Sequence, residues 1–298
     1  MQEEYNFFFE NEIRRIRELL ANIKDERTIV MAPKIGNSAG KFDTKLRMYS
    51  YGGEILELST TRGAKCCYLP DKKYIPAGST IKSGSIPYED ITDKNIRDAI
   101  LLAKNRANEG EKTYEERSVE TALIYKNRQQ ANPSALIIDM EFECPKDWLG
   151  NVVRMRNNNV STTGKPDLII YDKESKSFGI VELKHRNKSC GNMEKHFVDF
   201  TNITKSHKVE RIKAEFRRKI KYLEHYGFIP VISDMDLDKA EKTDIWMAFL
   251  FVEGDYERCL QRFQNARLRD EIDRGLFGFK HYQSLDQEMD FSRKAFGL

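Results

Sequence analysis

The sequence feature that most limits the fold is a continuous apolar run at positions 245–252, Ile-Trp-Met-Ala-Phe-Leu-Phe-Val. A run of this length without alternation is typical of a strand that is buried on both faces. The segments at about 206–226 and 256–274 are predicted to form long helices on either side of it. A fully buried strand between long helices predicts a layered α/β domain.

The composition is that of a globular protein with a sizeable core. The chain has 298 residues, of which 40% are hydrophobic and 33% charged, and its net charge is only +3. This apolar fraction excludes a disordered chain, and no apolar run approaches the roughly 18 residues of a membrane span. The five cysteines form no C-x-x-C pair, which argues against a disulfide framework and a structural zinc site. The first residues are acidic and unlike a secretory signal, so we expect a reduced, cytoplasmic protein.

The first part of the chain is predicted to be a smaller accessory α+β domain. A helix is expected at 3–23 and another after Thr92, and between them lie β-prone runs at 46–51, 54–59 and 65–69. Glycines interrupt these runs, as in a small sheet with long loops. We therefore assign residues 1–110 to a domain for recognition or assembly.

Residues 111–298 are predicted to form the α/β domain. A helix at 113–130 precedes a strand at 135–143, in which apolar and acidic side chains alternate as in a half-buried strand. Two further strands at 166–171 and 178–184 follow, and the polar segment 172–177 between them is predicted to be a hairpin turn. The order helix, three strands, helix, strand, helix fits an αβα layered domain.

Three charged residues are predicted to meet on this hairpin. Glu182 and Lys184 are two positions apart on one strand, so both side chains project from the same face. Asp167 follows Pro166 at the start of the neighbouring strand. If the two strands pair through the turn, Asp167 lies beside Glu182.

This grouping points to metal-assisted hydrolysis of a phosphodiester. Two adjacent carboxylates repel unless a proton or a cation separates them, and Mg²⁺ accepts one or two carboxylates while keeping water ligands. A lysine beside the metal can orient a water or offset charge on a phosphate. The bare pattern, an acid two residues before a lysine, occurs four times in the chain. Only the copy at Glu182 and Lys184 lies on a strongly apolar strand, and an ion pair at a sheet edge is the alternative interpretation.

In the segments Lys-Pro-Asp-Leu-Ile-Ile-Tyr (165–171) and Gly-Ile-Val-Glu-Leu-Lys (179–184), the chain resembles the PD-(D/E)XK nuclease superfamily. The resemblance covers about residues 113–252. It implies a restriction-endonuclease-like αβα core with a mixed central sheet, and nucleases of this fold often act as homodimers. It further implies that Asp167, Glu182 and the Leu183 carbonyl ligate Mg²⁺, for which Mn²⁺ would substitute. Lys184 would then assist the attacking water.

Many members of this family add a glutamate from the helix before the first strand. Glu120 is the preferred candidate for this catalytic and metal-binding role, because its apolar neighbours place it near the inward side of the predicted helix. Glu116, one turn earlier, is a second candidate. Glu141 is the weakest of the three, since its alternation sets it opposite the apolar face. A solvated helix glutamate is the alternative for Glu120.

A basic stretch follows the lysine of the motif. Between residues 184 and 221 the chain carries twelve lysines and arginines against four acids, and such a stretch could neutralise a phosphate backbone. We predict that Lys205, Lys208, Arg211 and Arg218 contact nucleic acid; a solvated helix face is the alternative. The nearby histidines His185, His196 and His207 are interpreted as surface residues. The tyrosines of the N-terminal part (Tyr49, Tyr51, Tyr68 and Tyr74) are interpreted as core residues rather than as platforms for bases.

The predicted function is a Mg²⁺-dependent nuclease that acts on double-stranded DNA as an endonuclease, in preference to RNA. One alternative is a catalytically inactive nucleic-acid-binding protein that keeps the nuclease fold. Another is a metal-independent ribonuclease that uses Arg218 and His225, whose R-x6-H spacing resembles that of the HEPN ribonucleases.

Overall fold

A computed structural model describes most of the chain and divides it into two compact units. The first unit contains residues 1–126 and 222–228, and the second contains residues 127–221 and 229–298. The division falls within the continuous helix Lys112–Gln129, whereas the sequence placed it near residue 110. None of the described helices combines the length and the apolar composition of a membrane span. The described residues are 10–23, 28–32, 46–61, 64–69, 84–87, 90–108, 112–142, 144–145, 148, 165–186, 193–254, 256–264 and 277–298.

The first unit is built on an antiparallel sheet of five strands in sequential order. Three of its strands match the predicted β-prone runs. The helices α1 (Glu10–Ile23), α2 (Asp93–Asn108) and most of α3 (Lys112–Gln129) belong to the same unit. The strands are β1 (Thr28–Met31), β2 (Leu46–Ser50), β3 (Gly53–Thr61), β4 (Ala64–Leu69) and β5 (Gly84–Pro87).

The β2–β3 hairpin turns on Tyr51 and Gly52, whose φ angles are +49° and +79°. Two-residue hairpin loops need this left-handed backbone. Glycine is required at the second position because an added Cβ would lie 2.5 Å from the Ser118 backbone nitrogen. Tyr49 is buried and donates a hydrogen bond to Glu54, in agreement with a core role. The Tyr68 side chain and Tyr74 lie outside the described residues.

The second unit contains a mixed sheet of five strands in the order β10-β9-β8-β7-β6. The pairs β6–β7 and β7–β8 are antiparallel, whereas β8–β9 and β9–β10 are parallel. The predicted hairpin is confirmed, and in its turn Asp172 accepts hydrogen bonds from the backbone N–H groups of Glu174 and Ser175. The strands are β6 (Ala135–Met140), β7 (Leu168–Asp172), β8 (Ser177–His185), β9 (Trp246–Val252) and β10 (Phe277–Tyr282).

Helices α4 (Met193–Thr204) and α5 (Val209–His225) cover one face of this sheet. Phe200 of α4 stacks on Phe249, with 6.4 Å between ring centroids. Phe216 of α5 meets Phe178 edge-on at 5.4 Å. Phe249 pairs with Glu182, which is four residues from Phe178, so both strand residues lie on the same face.

The opposite face of this sheet packs against the end of the chain. Gly179 leaves space for the Trp246 ring, which would lie 2.2 Å from an added Cβ. Phe296, in the 3₁₀ helix Arg293–Phe296, packs against the same ring. Two more helices, α6 (Asp234–Lys242) and α7 (Tyr256–Gln264), complete the described part of this unit. The α/β class is therefore confirmed, and β9 is buried along its whole length.

The prediction of a half-buried strand at 135–143 is wrong. β6 is shorter and buried at every position, because Asp139 on its supposed solvent face is neutralised by Lys219 of α5, with 3.0 Å between Oδ2 and Nζ. The helices α4 and α6 and the strand β10 were not predicted. α4 in particular is rich in aromatic and β-branched residues, and Phe197, Phe200 and Ile203 of this helix are buried.

The cysteines also differ from expectation. Cys259 of α7 is disulfide-bonded, whereas Cys144 is a buried thiol. Spacing along the chain does not determine which cysteines approach in the fold, so the absence of a C-x-x-C pair did not exclude this bond.

Candidate functional site

Beyond the last residue pair of the β7–β8 ladder, the Asp167 side chain replaces the backbone as a hydrogen-bond partner of β8. Continuing the strand register one residue beyond its last pair brings Asp167 level with Glu182. The Leu183 N–H donates to Asp167 Oδ2 at 2.6 Å. Pro166 has no backbone N–H with which to extend the ladder. The Asp167 carboxylate is thus held against the backbone between Glu182 and Lys184.

Glu182 and Lys184 form a buried ion pair on one face of β8. The Lys184 Nζ donates to Glu182 Oε1 at 2.5 Å, and the two residues are only 7% and 3% exposed. Their register partners on β9 are Phe251 and Phe249. A carboxylate buried beside phenyl rings needs a neutralising partner, and Lys184 provides one. The hairpin thus brings together Asp167, Glu182 and Lys184.

His196, which was interpreted as a surface residue, is half-buried and lies next to this cluster. Its Nδ1 lies 3.1 Å from Glu182 Oε1. Burial and the nearby ammonium groups of Lys184 and Lys195 lower the pKa of His196 to about 3, so its ring is neutral at pH 7. The pair is therefore a close contact between a neutral imidazole and the carboxylate, not an ion pair. His196 comes from α4, and its spacing from the motif carries no local periodicity that could have pointed to it.

Strained backbone surrounds the cluster. Glu141, Arg186 and Glu253 have φ angles of +48°, +54° and +54° and directly follow the ends of β6, β8 and β9. The Glu141 N–H donates to the Asp167 carbonyl at 3.0 Å, and Arg186 is two residues from Lys184. A non-glycine residue in this region costs about 1–3 kcal/mol and is often found at functional sites. The strand ends beside the carboxylates are therefore the strongest site candidate among the described residues.

Glu120 belongs to the first unit, whereas the cluster belongs to the second. It is 1% exposed on α3 beside the buried residues Val119 and Leu123. The inward orientation expected from its neighbours agrees with this burial, and Glu116 is half-buried. A role for Glu120 at the site stays a prediction.

Most of the basic stretch is neutralised within the second unit. Arg218 is buried and donates two hydrogen bonds to Glu215, so it does not present the free cation expected of a nucleic-acid contact. The prediction considered only the acids between residues 184 and 221. Carboxylates of α6, from residues 234–241, also pair with this basic stretch. The ion pairs join Lys213 to Glu210, Arg217 to Asp234, Asp238 and Glu241, Arg218 to Glu215, Lys219 to Asp139 and Glu215, and Lys221 to Asp234.

The other predicted nucleic-acid contacts lie around the junction between α4 and α5. Lys205 and Arg211 are exposed and Lys208 is half-buried. Lys205 is nine residues beyond His196, and at a rise of about 1.5 Å per helical residue this places it about 14 Å along the direction of α4. The basic group is therefore set apart from the carboxylates rather than directly beside them.

The cluster offers oxygen ligands and an ammonium group. Two carboxylates are a suitable anchor for Mg²⁺, which prefers oxygen and keeps several water ligands. Among the described residues, no group of three or more His, Cys, Asp or Glu side chains is placed to hold a metal ion, so the protein part of such a site would be small. Comparison of the chain with protein-family models, curated proteins and solved structures finds no match.

Proposed function

We propose that this protein is a Mg²⁺-dependent nuclease that hydrolyses phosphodiester bonds, with double-stranded DNA as its substrate and internal cleavage as its mode. The observation that supports this most directly is the linkage of Asp167 to the Glu182–Lys184 pair through the Leu183 N–H, at 2.6 Å. It joins an acid before one strand to an acid and a lysine of the next, beside strand ends whose backbone is strained.

Asp167 and Glu182 would hold the metal ion, with the Leu183 carbonyl as a further oxygen ligand. When bound, Mg²⁺ lowers the pKa of a water ligand and neutralises charge that develops on the phosphate. The chain's own part is to hold the two carboxylates in place. The hydrogen bond from Leu183 fixes Asp167, and the packing of β8 fixes Glu182.

Lys184 would act on the water or the phosphate. Its ammonium group contacts Glu182 at 2.5 Å, and a lysine has three donors on a flexible stem. It can therefore exchange one contact for a water or phosphate oxygen without leaving the cluster. A cation aimed at the reacting phosphate stabilises the charge of the transition state.

Nucleic acid is the substrate that the remaining basic residues favour. Lys205 lies about 14 Å from His196 along the direction of α4, and Lys208 and Arg211 follow it around the junction between α4 and α5. This distance corresponds to about four nucleotides at the 3.4 Å rise of one strand of B-DNA. We therefore propose that they contact backbone phosphates away from the cut, and by resemblance that two copies act as a homodimer.

The test is cleavage of supercoiled plasmid, linear duplex, single strands and RNA, with Mg²⁺ or with EDTA. We expect nicking or linearisation of plasmid only with Mg²⁺, and a loss of at least about a hundredfold in Lys184→Ala and Asp167→Asn. Glu174 and Lys176 repeat the acid-x-lysine pattern in the hairpin turn, where Glu174 is exposed and Lys176 half-buried. Glu174→Ala and Lys176→Ala are therefore matched controls that should cleave normally. Cleavage that survives both site variants refutes the proposal.

A non-catalytic nucleic-acid-binding protein is a second candidate, and one observation favours it. The Glu182 carboxylate is already neutralised by Lys184. This candidate binds DNA in a salt-sensitive manner without binding a divalent ion. Titration calorimetry with Mn²⁺ separates the two, because only the nuclease shows binding that is lost in Asp167→Asn. The ribonuclease alternative is disfavoured, since Arg218 is engaged by Glu215.

A further inference from the structure

A row of side chains crosses the second sheet from the lysine of the site to the last described strand. Lys184 of β8 pairs with Phe251 of β9, and Phe251 pairs with His281 of β10. Register partners project from the same face of a sheet, as the stacked rings of Phe249 and Phe279 show two residues earlier. His281 therefore lies on the face that carries Lys184. Since neighbouring strands are about 4.8 Å apart, the backbones of these two residues are about 10 Å apart.

Tyr256, the first residue of α7, covers the outer part of this row. Its ring stacks on the His281 ring, with 5.3 Å between centroids and 5° between planes. Phe251 meets the Tyr256 ring edge-on, also with 5.3 Å between centroids. Phe251 is 1% exposed, whereas Tyr256 and His281 are half-buried. The buried phenyl ring thus supports a ring pair that is partly open to solvent.

The stacked pair has the geometry of a platform for a flat ligand. Since aromatic planes in contact are about 3.5 Å apart, rings with centroids 5.3 Å apart are displaced sideways by about 4 Å. The two rings overlap only in part, and the remainder of each ring face is not covered by the other. Nucleic-acid bases stack on such rings whatever their sequence, because every base has a π-face.

We propose that Tyr256 and His281 bind an unpaired base of the substrate strand. In a duplex both faces of a base are stacked on its neighbours, so only a base that is unpaired or turned out of the helix can lie on a side-chain ring. The separation of about 10 Å from Lys184 corresponds to about three nucleotides at the 3.4 Å rise of one strand. The site therefore favours duplex DNA that contains unpaired bases near the cleaved phosphate. The proposal rests on the proposed function for the cut, but base binding itself needs no metal ion.

The affinities for two DNA duplexes in EDTA test this preference. One duplex is fully paired, and the other carries three unpaired thymines in the middle of one strand. Fluorescence anisotropy measures both affinities without cleavage. We expect the bulged duplex to bind at least about fivefold more tightly, which is the lower bound of what one base stacked on an aromatic side chain contributes.

Variants of Tyr256 separate base stacking from the packing of α7. Tyr256→Phe keeps the ring, whereas Tyr256→Leu keeps an apolar side chain without a ring. We expect Tyr256→Phe to keep the preference for the bulged duplex within about twofold, and Tyr256→Leu and His281→Leu to reduce it at least about threefold. Urea unfolding followed by tryptophan fluorescence checks that each variant is folded. His225→Leu, at an exposed histidine of α5, is the control and should keep the preference of the original chain.

A fluorescent base reports the stacking directly. Aminopurine in place of the middle unpaired thymine loses fluorescence when it stacks on an aromatic ring, so we expect quenching by the original chain and by Tyr256→Phe but not by Tyr256→Leu. Equal binding of the two duplexes, or the same preference in Tyr256→Phe and Tyr256→Leu, would overturn the inference. If the original chain prefers the bulged duplex but cleaves no DNA with Mg²⁺, the nuclease proposal fails and the base site stands. Cleavage without this preference has the opposite meaning.

Discussion

The buried pair between Lys219 and Asp139 allows a quantitative test of the second unit. The side chains are 1% and 2% exposed, and Nζ lies 3.0 Å from Oδ2. Lys219→Met keeps the apolar stem and removes the ammonium group. Removal of one partner of a buried ion pair costs about 3–5 kcal/mol, because the other charge is left without compensation.

We expect the destabilisation by Lys219→Met to lie at the low end of this range of free energies. Burial lowers the pKa of Arg128 to about 10, and the attraction of Asp139 opposes this fall, so Arg128 is a cation at pH 7 and still attracts the orphaned carboxylate. We therefore expect a loss of about 3 kcal/mol in the free energy of unfolding. At about 2–4 °C per kcal/mol, the unfolding midpoint should fall by about 6–12 °C.

Urea unfolding followed by tryptophan fluorescence measures this loss selectively. The two tryptophans of the chain, Trp148 and Trp246, both belong to the second unit. Lys242→Met, at an exposed lysine of α6, is the matched control and should change the stability by less than about 0.5 kcal/mol.

Two results would refute the reasoning. One is a loss below about 1 kcal/mol in Lys219→Met, which would mean that the pair is open to water. The other concerns the double variant Asp139→Leu with Lys219→Met. Since an apolar replacement of a whole buried pair is often neutral or stabilising, this double variant should be more stable than Lys219→Met alone. A further loss would contradict that account.

Three further predictions concern other parts of the second unit. Burial raises the pKa of Tyr282 to about 12, even though the hydrogen bond that its hydroxyl oxygen accepts from the Asp290 N–H acts in the opposite direction. The stability that Tyr282 contributes should therefore be fully present below pH about 10 and be lost between pH 10 and 12. The fall in stability over this range should be weaker in Tyr282→Phe, as measured by pH-dependent urea unfolding. Gly179→Ala should destabilise by at least about 1–3 kcal/mol, since its Cβ would lie 2.2 Å from the Trp246 ring; an unchanged urea midpoint would contradict this packing. Arg211→Ala should weaken the dependence of DNA affinity on salt, so that the slope of log K against log salt concentration falls by about one unit without loss of stability. Fluorescence anisotropy at several salt concentrations measures this slope.

Much of the site could be predicted because it is local. Asp167, Glu182 and Lys184 lie on two strands joined by a short turn, and the two-residue period of a strand sets their faces. The same reasoning failed for β6, where the alternation of Asp139 with apolar residues indicated a solvent face. The ion-pair partner of Asp139 is Lys219, which is eighty positions away, and the residues near Asp139 do not indicate this pairing.

The sequence alone determined the α/β class of the second unit, its central hairpin and the meeting of two acids with a lysine, since these follow from hydrophobic periodicity and turn chemistry over a few residues. Only the tertiary structure decided which charged side chains are neutralised by other residues and which are left to contact a ligand. The carboxylates of α6 neutralise Arg217 and Lys221, Glu215 takes up Arg218, and His196 reaches Glu182 from a helix held by aromatic packing. Electrostatic interactions join segments that are distant in the chain. The local sequence pattern around a residue does not determine which of these segments will lie beside it in the fold.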